Sequence, residues 1–124
     1  MSVQKRPLSG MVLASGAAVP VAVGVAVKVL HTFGSVATQQ GGPFVDQVSV
    51  WLNNFDNVPH DVVLAFGGPT PSALGTFTIP AQTTIQALFD VPFASARDAA
   101  ATTLTAVTSI NNRVAAWGWF AEVL

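Results

Sequence analysis

The stretch Val19-Pro-Val-Ala-Val-Gly-Val-Ala-Val-Lys-Val29 decides the fold expected for this chain, because valine occupies every second position. Alternate side chains of a β-strand point to opposite faces, so the six valines would share one face. A helix would scatter them around its axis, and Pro20 and Gly24 would weaken that helix further. The pattern therefore predicts one strand over residues 19–33, with its valine face on a core and Gly24 as a point for a bulge or break.

The composition favours one domain whose surface is covered by other protein. Apolar residues make up 51% of the chain and charged residues only 9%, compared with about 25% charged in an ordinary soluble domain. A monomer normally needs mixed surface charge to stay soluble, so this deficit predicts contacts with other chains. A chain of 124 residues can bury one core. We predict an extended N-terminal arm at residues 1–18 and a single domain at residues 19–124.

The sequence argues against nucleic acid, membrane and cofactor partners. The five cations are spread thinly and the net charge is −1, so no basic patch is available for phosphates. The chain has no cysteine, which excludes disulfides and thiolate metal sites. Residues 11–30 are apolar over nearly the length of a bilayer, but their period of two and Lys28 favour a strand over a membrane helix.

Short segments of alternating polarity follow the valine stretch, separated by residues typical of turns. Seven or eight short strands at regular spacing predict an all-β fold, an antiparallel β-sandwich resembling a jelly roll. A turn at Asn111-Asn112 would join the last two strands as a hairpin, and Ser95 could cap one helical turn at 96–101. The expected strands are 44–53, 61–66, 76–79, 83–89, 102–110 and 114–123, with 11–13 as a further short strand in the arm.

Candidate catalytic residues are few. His31 shares the valine face by parity and has no carboxylate near it in the sequence, which favours a histidine of the core or of an interface. His60 precedes Asp61, but adjacent strand residues point apart, so His60 is interpreted as a turn residue. No Gly-x-Ser-x-Gly elbow or phosphate loop is present. We therefore predict that the protein is not an enzyme.

The oxygen-rich turn Asn53-Asn54-Phe55-Asp56-Asn57 comes nearest to a metal site. Calcium prefers several oxygen ligands, usually with more than one carboxylate. Only Asp56 supplies a carboxylate locally. We expect neither a metal nor another cofactor.

The C-terminal segment Trp117-Gly118-Trp119-Phe120 places two tryptophans on one strand face and Phe120 on the other. Such aromatics can anchor an interface or form a platform for sugars. Aromatics on strands mostly serve packing, which favours core or interface. A carbohydrate-binding module remains the alternative from a different functional class.

Several short motifs resemble those of small tailed-bacteriophage virion proteins of the β-sandwich type, over residues 29–121. The motifs are Asp46-Gln-Val-Ser-Val-Trp-Leu-Asn-Asn54, Val62-Val-Leu-Ala-Phe-Gly-Gly68, Thr78-Ile-Pro-Ala81 and the closing Val114 to Gly118. The resemblance implies a capsid decoration (cement) protein that stabilises the phage head through protein–protein contacts. A tail or head–tail component is the alternative. It also implies the major capsid protein or other virion proteins as partners, synthesis in the host cytoplasm, and a final place in the virion.

We expect a homo-oligomer, either a dimer or a trimer. Its candidate interface residues are apolar positions of the arm, the start of the valine stretch and the C-terminal tryptophans. They are Met11, Val12, Leu13, Val19, Val21, Trp117 and Trp119.

Overall fold

The computed structural model describes residues 3–33, 44–67, 72–95 and 103–123, and most of them lie in β-strands. The pairings among these strands are antiparallel. A single 3₁₀ turn, Ser9–Met11, follows the first strand in the described part of the chain. The strands are β1 (Val3–Pro7), β2 (Val21–Val23), β3 (Lys28–Thr32), β4 (Phe44–Asn54), β5 (His60–Gly67), β6 (Ser72–Ile79), β7 (Thr83–Ser95), β8 (Thr103–Thr108) and β9 (Val114–Val123).

The strands form two facing sheets, which confirms the predicted all-β sandwich. The first sheet has the order β1-β9-β4-β7, with β2 also paired to β9, and the second has the order β3-β8-β5-β6. Strands β2 to β9 therefore follow the strand order of a jelly roll, in which successive strands change layer except for the paired β5 and β6. β2 contacts β3 on one lateral side of the sandwich, and β6 contacts β7 on the other.

The core lies between the sheets and follows the period of two that the sequence shows in its central strands. Alternate residues of β4 are fully buried, while Trp51 between them faces outward. Burying such side chains stabilises the fold by about 1.5–3 kcal/mol each. The buried apolar residues on the central strands include Val48, Val50, Leu52, Val62, Leu64, Leu104, Val114 and Phe120.

The strand predicted over residues 19–33 breaks at Gly24, where a break was expected, but its two parts belong to different sheets and most of its valines do not face a core. Its first part, Val21–Val23, pairs with β9, and its last part, Lys28–Thr32, pairs with β8 in the other sheet. The residues between them cross from one layer to the other, so Val25 donates its backbone N–H to the Asn111 side chain at 3.0 Å instead of to a strand. The alternating valines therefore lie on and beside a crossover between the sheets, and four of the six, Val19, Val25, Val27 and Val29, are exposed to solvent.

His31 also departs from the predicted parity. The register of β3 against β8 shifts between Val29 and His31, which is the signature of a β-bulge. Val29 is exposed, whereas Leu30 and His31 are both fully buried. His31 therefore lies in the core without sharing a face with Val29.

The predicted hairpin across Asn111-Asn112 is wrong as well. β8 pairs with β3 and β5, whereas β9 pairs with β1, β2 and β4, so this turn connects the two layers. Asn112 has a φ of 63°, a left-handed conformation that asparagine tolerates. The helical turn predicted at 96–101 lies outside the described residues.

Residues 3–11, which the sequence assigns to the arm, lie against the sandwich. β1 pairs with β9 of the same chain, and Leu8 and Met11 are buried in the core. A Cβ on Gly10 would collide with the carbonyl oxygen of Val29, so only glycine fits this close approach to β3. Where a further short strand was expected at 11–13, Val12 makes an isolated bridge to Ala18.

Candidate interaction surfaces

The outer face of the first sheet carries a cluster of three tryptophans. Trp51 and Trp117 are direct cross-strand partners on β4 and β9. Their rings stack with centroids 4.7 Å apart and an interplanar angle of 5°. Trp119 approaches Trp51 at 4.6 Å with a tilt of 50°. The rings mostly cover one another, so the cluster packs the outside of the sheet more than it presents free faces to a ligand.

Lys5 extends this cluster toward β1, because its Nζ lies 5.0 Å from the Trp119 ring centroid, the distance of a cation–π contact. Beside it runs a groove of about 350 Å³ whose lining includes Pro7, Met11 and Ala18. The indole N–H of Trp119 is buried without a hydrogen-bond acceptor among the described residues. The predicted interface residues Trp117 and Trp119 are thus half-buried on an outer surface.

The other predicted interface residues separate into two groups. Met11 is buried in the core, and Val21 is partly buried and packs against it. Val12, Leu13 and Val19 are exposed, on a small loop closed by hydrogen bonds from Leu13 N–H to the Ala17 carbonyl and from Val19 N–H to the Met11 carbonyl.

We call the exposed apolar residues of this loop, of the crossover after β2 and of Val29 the N-terminal flank, which spans residues 12–29 without Lys28. No charged residue lies between Arg6 and Lys28. Val27 in the crossover has 63% of its surface exposed. Exposed valine and leucine concentrate here at Val12, Leu13, Val19, Val25, Val27 and Val29. Clustered exposure of this kind marks an interaction surface more often than scattered exposure does.

The opposite lateral side, which we call the β6–β7 flank, is formed by strands β6 and β7. Among the described strands β6 pairs only with β5 and β7 only with β4, so each has one edge without a strand partner in this part of the chain. No charged residue lies between Asp61 and Asp90. Leu74 is exposed, and Phe89 has 72% of its surface in solvent. Natural proteins usually protect such edges with lysine, proline or a covering segment.

The two flanks differ in the sign of the charges that border them. Before Asp46 the sequence contains Lys5, Arg6 and Lys28 and no carboxylate; the six acidic residues all follow. Lys5 and Lys28 are exposed beside the N-terminal flank, and Asp61 and Asp90 are exposed beside the β6–β7 flank.

A buried polar cluster joins the start of the chain to the core. The backbone N–H of Ser9 donates to Nδ1 of His31 at 3.1 Å, so Nδ1 holds a lone pair. Nε2 therefore carries the proton and donates it to Oδ2 of Asp46 at 3.0 Å. The Ser9 hydroxyl oxygen accepts from the backbone N–H of Thr32 at 2.7 Å. The residue types are those of a catalytic triad, but the serine hydroxyl does not bond the imidazole, and His31 and Asp46 are buried.

The second histidine pairs with a different aspartate from the one adjacent in sequence. His60 Nε2 donates to Oδ2 of Asp56 at 2.7 Å, and Arg113 Nε lies 3.7 Å from the same oxygen. The hydrogen bond from His60 lowers the pKa of Asp56, and the backbone N–H of Asn57 adds to this effect. His60 and Asp56 have 11% and 18% of their side chains exposed at the connection between β4 and β5, and Arg113, which precedes β9, is 52% exposed.

Polar side chains of the oxygen-rich turn form hydrogen bonds with the protein backbone. The buried Asn54 amide donates to the carbonyl oxygens of Val58 and Ile79 at 2.8 and 3.0 Å, and its oxygen accepts from the Asp56 N–H at 2.9 Å. Across residues 3–33, 44–67, 72–95 and 103–123, no three His, Asp or Glu side chains are grouped as a metal would require. None of the helical structure in these ranges is long and apolar enough to cross a bilayer.

Comparison with known proteins gives one similar fold. No family model matches the chain, and no curated protein matches it. A solved structure described as "Bacillus endospore appendages form a novel family of disulfide-linked pili" is similar with a TM-score of 0.50 and 11% sequence identity. The match covers 98% of this chain and 85% of the other. At this identity the similarity establishes the all-β fold and nothing more.

Sequence reasoning missed the residues that complete these clusters. Trp51 lies far from Trp117 in sequence and meets it through the pairing of β4 with β9. His31 and Asp46 lie on strands of different sheets and meet because the two sheets face each other. Phe89 was placed in a strand, and its exposure follows from the irregular β4–β7 pairing near Val48 and Val50, which parity cannot reveal. In the sequence, the two flanks were indicated only by their uncharged segments and by the position of Lys5, Arg6 and Lys28 before all the acidic residues.

Proposed function

We propose that this chain is a non-enzymatic structural subunit that assembles with further copies of itself. The observation that carries the proposal is the concentration of exposed valine and leucine on the uncharged N-terminal flank. A soluble monomer rarely exposes so many large apolar side chains in one uncharged stretch, because contact with another protein removes them from water at a gain of about 25 cal/mol per Å². The low overall charge supports the same conclusion.

The polar clusters support a structural role over a catalytic one. His31 and Asp46 are fully used in holding the N-terminal residues and have no access to solvent. His60 and Asp56 hold a loop together. A catalytic base needs access to its substrate as well as a suitable partner.

The setting we propose is a phage particle, with the chain as a capsid decoration protein in contact with the major capsid protein. The short motifs from Asp46 to Gly118 support this setting. So does the jelly-roll order, an architecture that viral capsid domains share with many unrelated proteins. The virion is then its location, after synthesis in the host cytoplasm.

A filament of identical subunits is the second candidate, favoured by the similarity of the fold to a pilus structure. The absence of cysteine means that copies of this chain could not be joined by disulfides. Such a filament would therefore depend on non-covalent contacts between sheet edges and apolar flanks.

The test is the size of the purified protein, measured by light scattering and negative-stain electron microscopy with and without purified phage heads. Oligomers or filaments of the protein alone support the self-assembling subunit. Binding to heads supports the decoration role, and long filaments without heads support the second candidate. A protein that remains monomeric at about 100 µM, far above the dissociation constants of stable assemblies, and does not bind heads contradicts the proposal.

A carbohydrate-binding module is distinguished by a glycan array. The stacked rings of Trp51 and Trp117 leave little face for a sugar. We therefore expect no glycan signal, and Trp117→Ala would lower stability rather than a sugar affinity.

A further inference from the structure

We propose that copies of this chain associate head to tail, with the N-terminal flank of one copy bound to the β6–β7 flank of the next. This inference rests on the proposed self-assembly and names the surfaces and the partner. Both flanks are lateral sides of the sandwich, formed where β2 contacts β3 and where β6 contacts β7. The two flanks lie on opposite sides of each molecule. When two molecules associate through one flank of each, the dimer therefore keeps one unoccupied flank at each end.

The two flanks match in polarity. The N-terminal flank is uncharged from Arg6 to Lys28, and the other is uncharged from Asp61 to Asp90. Both expose large apolar side chains, with Val27 and Phe89 the most exposed on each. Apolar surfaces that meet exclude water from both sides, whereas either flank alone keeps its apolar area hydrated.

The two flanks are opposite in charge. Lys5 and Lys28 border the N-terminal flank, and Asp61 and Asp90 border the β6–β7 flank. A pairing of one flank with itself would bring like charges together, which disfavours a two-fold dimer on either side. Head-to-tail pairing brings each basic border to an acidic one. Because one chain carries both the basic and the acidic border, a second copy of the chain is the partner that we propose.

The strand edges of the β6–β7 flank would allow the same contact to form between each copy and the next. β6 carries no charge and no proline between Ser72 and Ile79, so its free edge lacks the usual protection against pairing. A contact between two different surfaces of identical subunits closes into a ring if the rotation allows and otherwise continues as a filament. The geometry of one chain therefore permits assemblies larger than a dimer without a second protein.

The experiment places one aspartate on each flank. Val27→Asp disables the N-terminal flank and Phe89→Asp disables the β6–β7 flank. Both side chains are exposed, so the fold should be retained, as circular dichroism and thermal unfolding will verify. Each change should weaken self-association at least about tenfold, because it buries a charge in an apolar contact. Matched controls are Val58→Asp and Phe55→Asp, at positions with 47% and 52% exposure on the loop between β4 and β5, outside the strands of both flanks. They should leave association within about twofold of wild type.

Mixing the two disabled variants gives the decisive result. Each retains one working flank, so an equimolar mixture should form a heterodimer and nothing larger, as measured by sedimentation velocity. Lys28→Glu should also weaken wild-type assembly, and combining it with Asp61→Lys should restore part of the loss. Raising the salt to about 0.5 M should weaken assembly through the same charges.

Three outcomes overturn parts of the interpretation separately. If wild type assembles and only one of the two flank variants disrupts it, a flank pairs with itself and the head-to-tail arrangement is wrong. If wild type assembles and neither variant matters, the interface lies elsewhere, while the proposed structural function survives. If wild type stays monomeric and binds no particles, the proposed function itself fails.

Discussion

The two histidine–aspartate pairs of this protein have the same chemistry and different roles. His31 and Asp46 are buried and join the first turn of the chain to the core of the sandwich. His60 and Asp56 are partly buried, with 11% and 18% of their side chains exposed, and they close the turn between residues 56 and 60. The comparison predicts that the degree of burial, and not the identity of the paired groups, decides how much each contact contributes to the fold.

The buried pair also explains why the N-terminal residues do not behave as a simple appendage. Ser9 contacts the sandwich through its N–H on His31 and its hydroxyl on Thr32. Leu8 and Met11 are buried beside this contact.

The largest expected effect is that of His31→Ala. The change leaves the Asp46 carboxylate and the Ser9 N–H without this partner and removes a ring packed on Phe33 and Phe120 at 4.8 and 4.2 Å. The free energy of unfolding should fall by about 3–5 kcal/mol. Chemical denaturation measures it, with His60→Ala as the matched control. Equal losses in the two variants would contradict the role assigned to burial.

Asp46→Asn should have an intermediate effect. The amide oxygen can still accept the Nε2–H of His31, but the hydrogen bond loses its ionic character, at a cost of about 1–2 kcal/mol. Hydrogen exchange should show the loss concentrated at the amides of Ser9 and Thr32, since their contacts depend on the position of the imidazole. A uniform increase in exchange over the whole sandwich would argue against this local linkage.

His60→Ala should lower the melting temperature by about 3 °C or less, because the Asp56 carboxylate keeps partial access to water and keeps Arg113 beside it. The loop retains the Asn54 contacts with Val58 and Ile79 after the histidine is removed. Asn54→Ala should therefore be more harmful than His60→Ala in the same thermal scan. The reverse order would show that the ion pair organises the loop.

The smallest effect is the acid dependence that Asp56 contributes. His60 lowers the pKa of Asp56 below its ordinary value of 3.8, so the folded state favours the charged form. The resulting stabilisation is present above the unfolded-state pKa and is lost as the pH falls through the lower folded-state pKa. Thermal unfolding of wild type and Asp56→Asn between about pH 6 and about pH 2.5 should show their difference shrinking at the acid end. A difference that grows with acid would have the wrong sign.

The sequence predicted the central strands well and the crossovers poorly. The alternation in β4 agrees with the buried positions Val48, Val50 and Leu52, because this strand stays within one sheet. The same alternation over the valines gave the wrong answer, because that segment leaves one sheet and enters the other near Gly24. The alternation of apolar residues along a segment does not reveal which of the two sheets each part of that segment joins.

The candidate surfaces were only partly predictable for the same reason. Val12, Leu13 and Val19 were expected at an interface and are exposed, whereas Met11 from the same segment is buried in the core. Trp117 and Trp119 were expected to share a face, but their packing against Trp51 depends on the pairing of β4 with β9. The spacing of residues along one strand decides which face of the sheet each side chain occupies. The adjacent strand decides which side chains it contacts there.

By itself, the sequence determined that this protein is an all-β chain with few charges, no cysteine and a basic first third. These properties depend on composition and on the period of two within single strands. Only the tertiary structure decided which valines are exposed, which aspartate meets each histidine, and which uncharged segments become opposite flanks. Those outcomes depend on contacts between residues far apart in sequence, and such contacts are fixed by the order of strands across two layers.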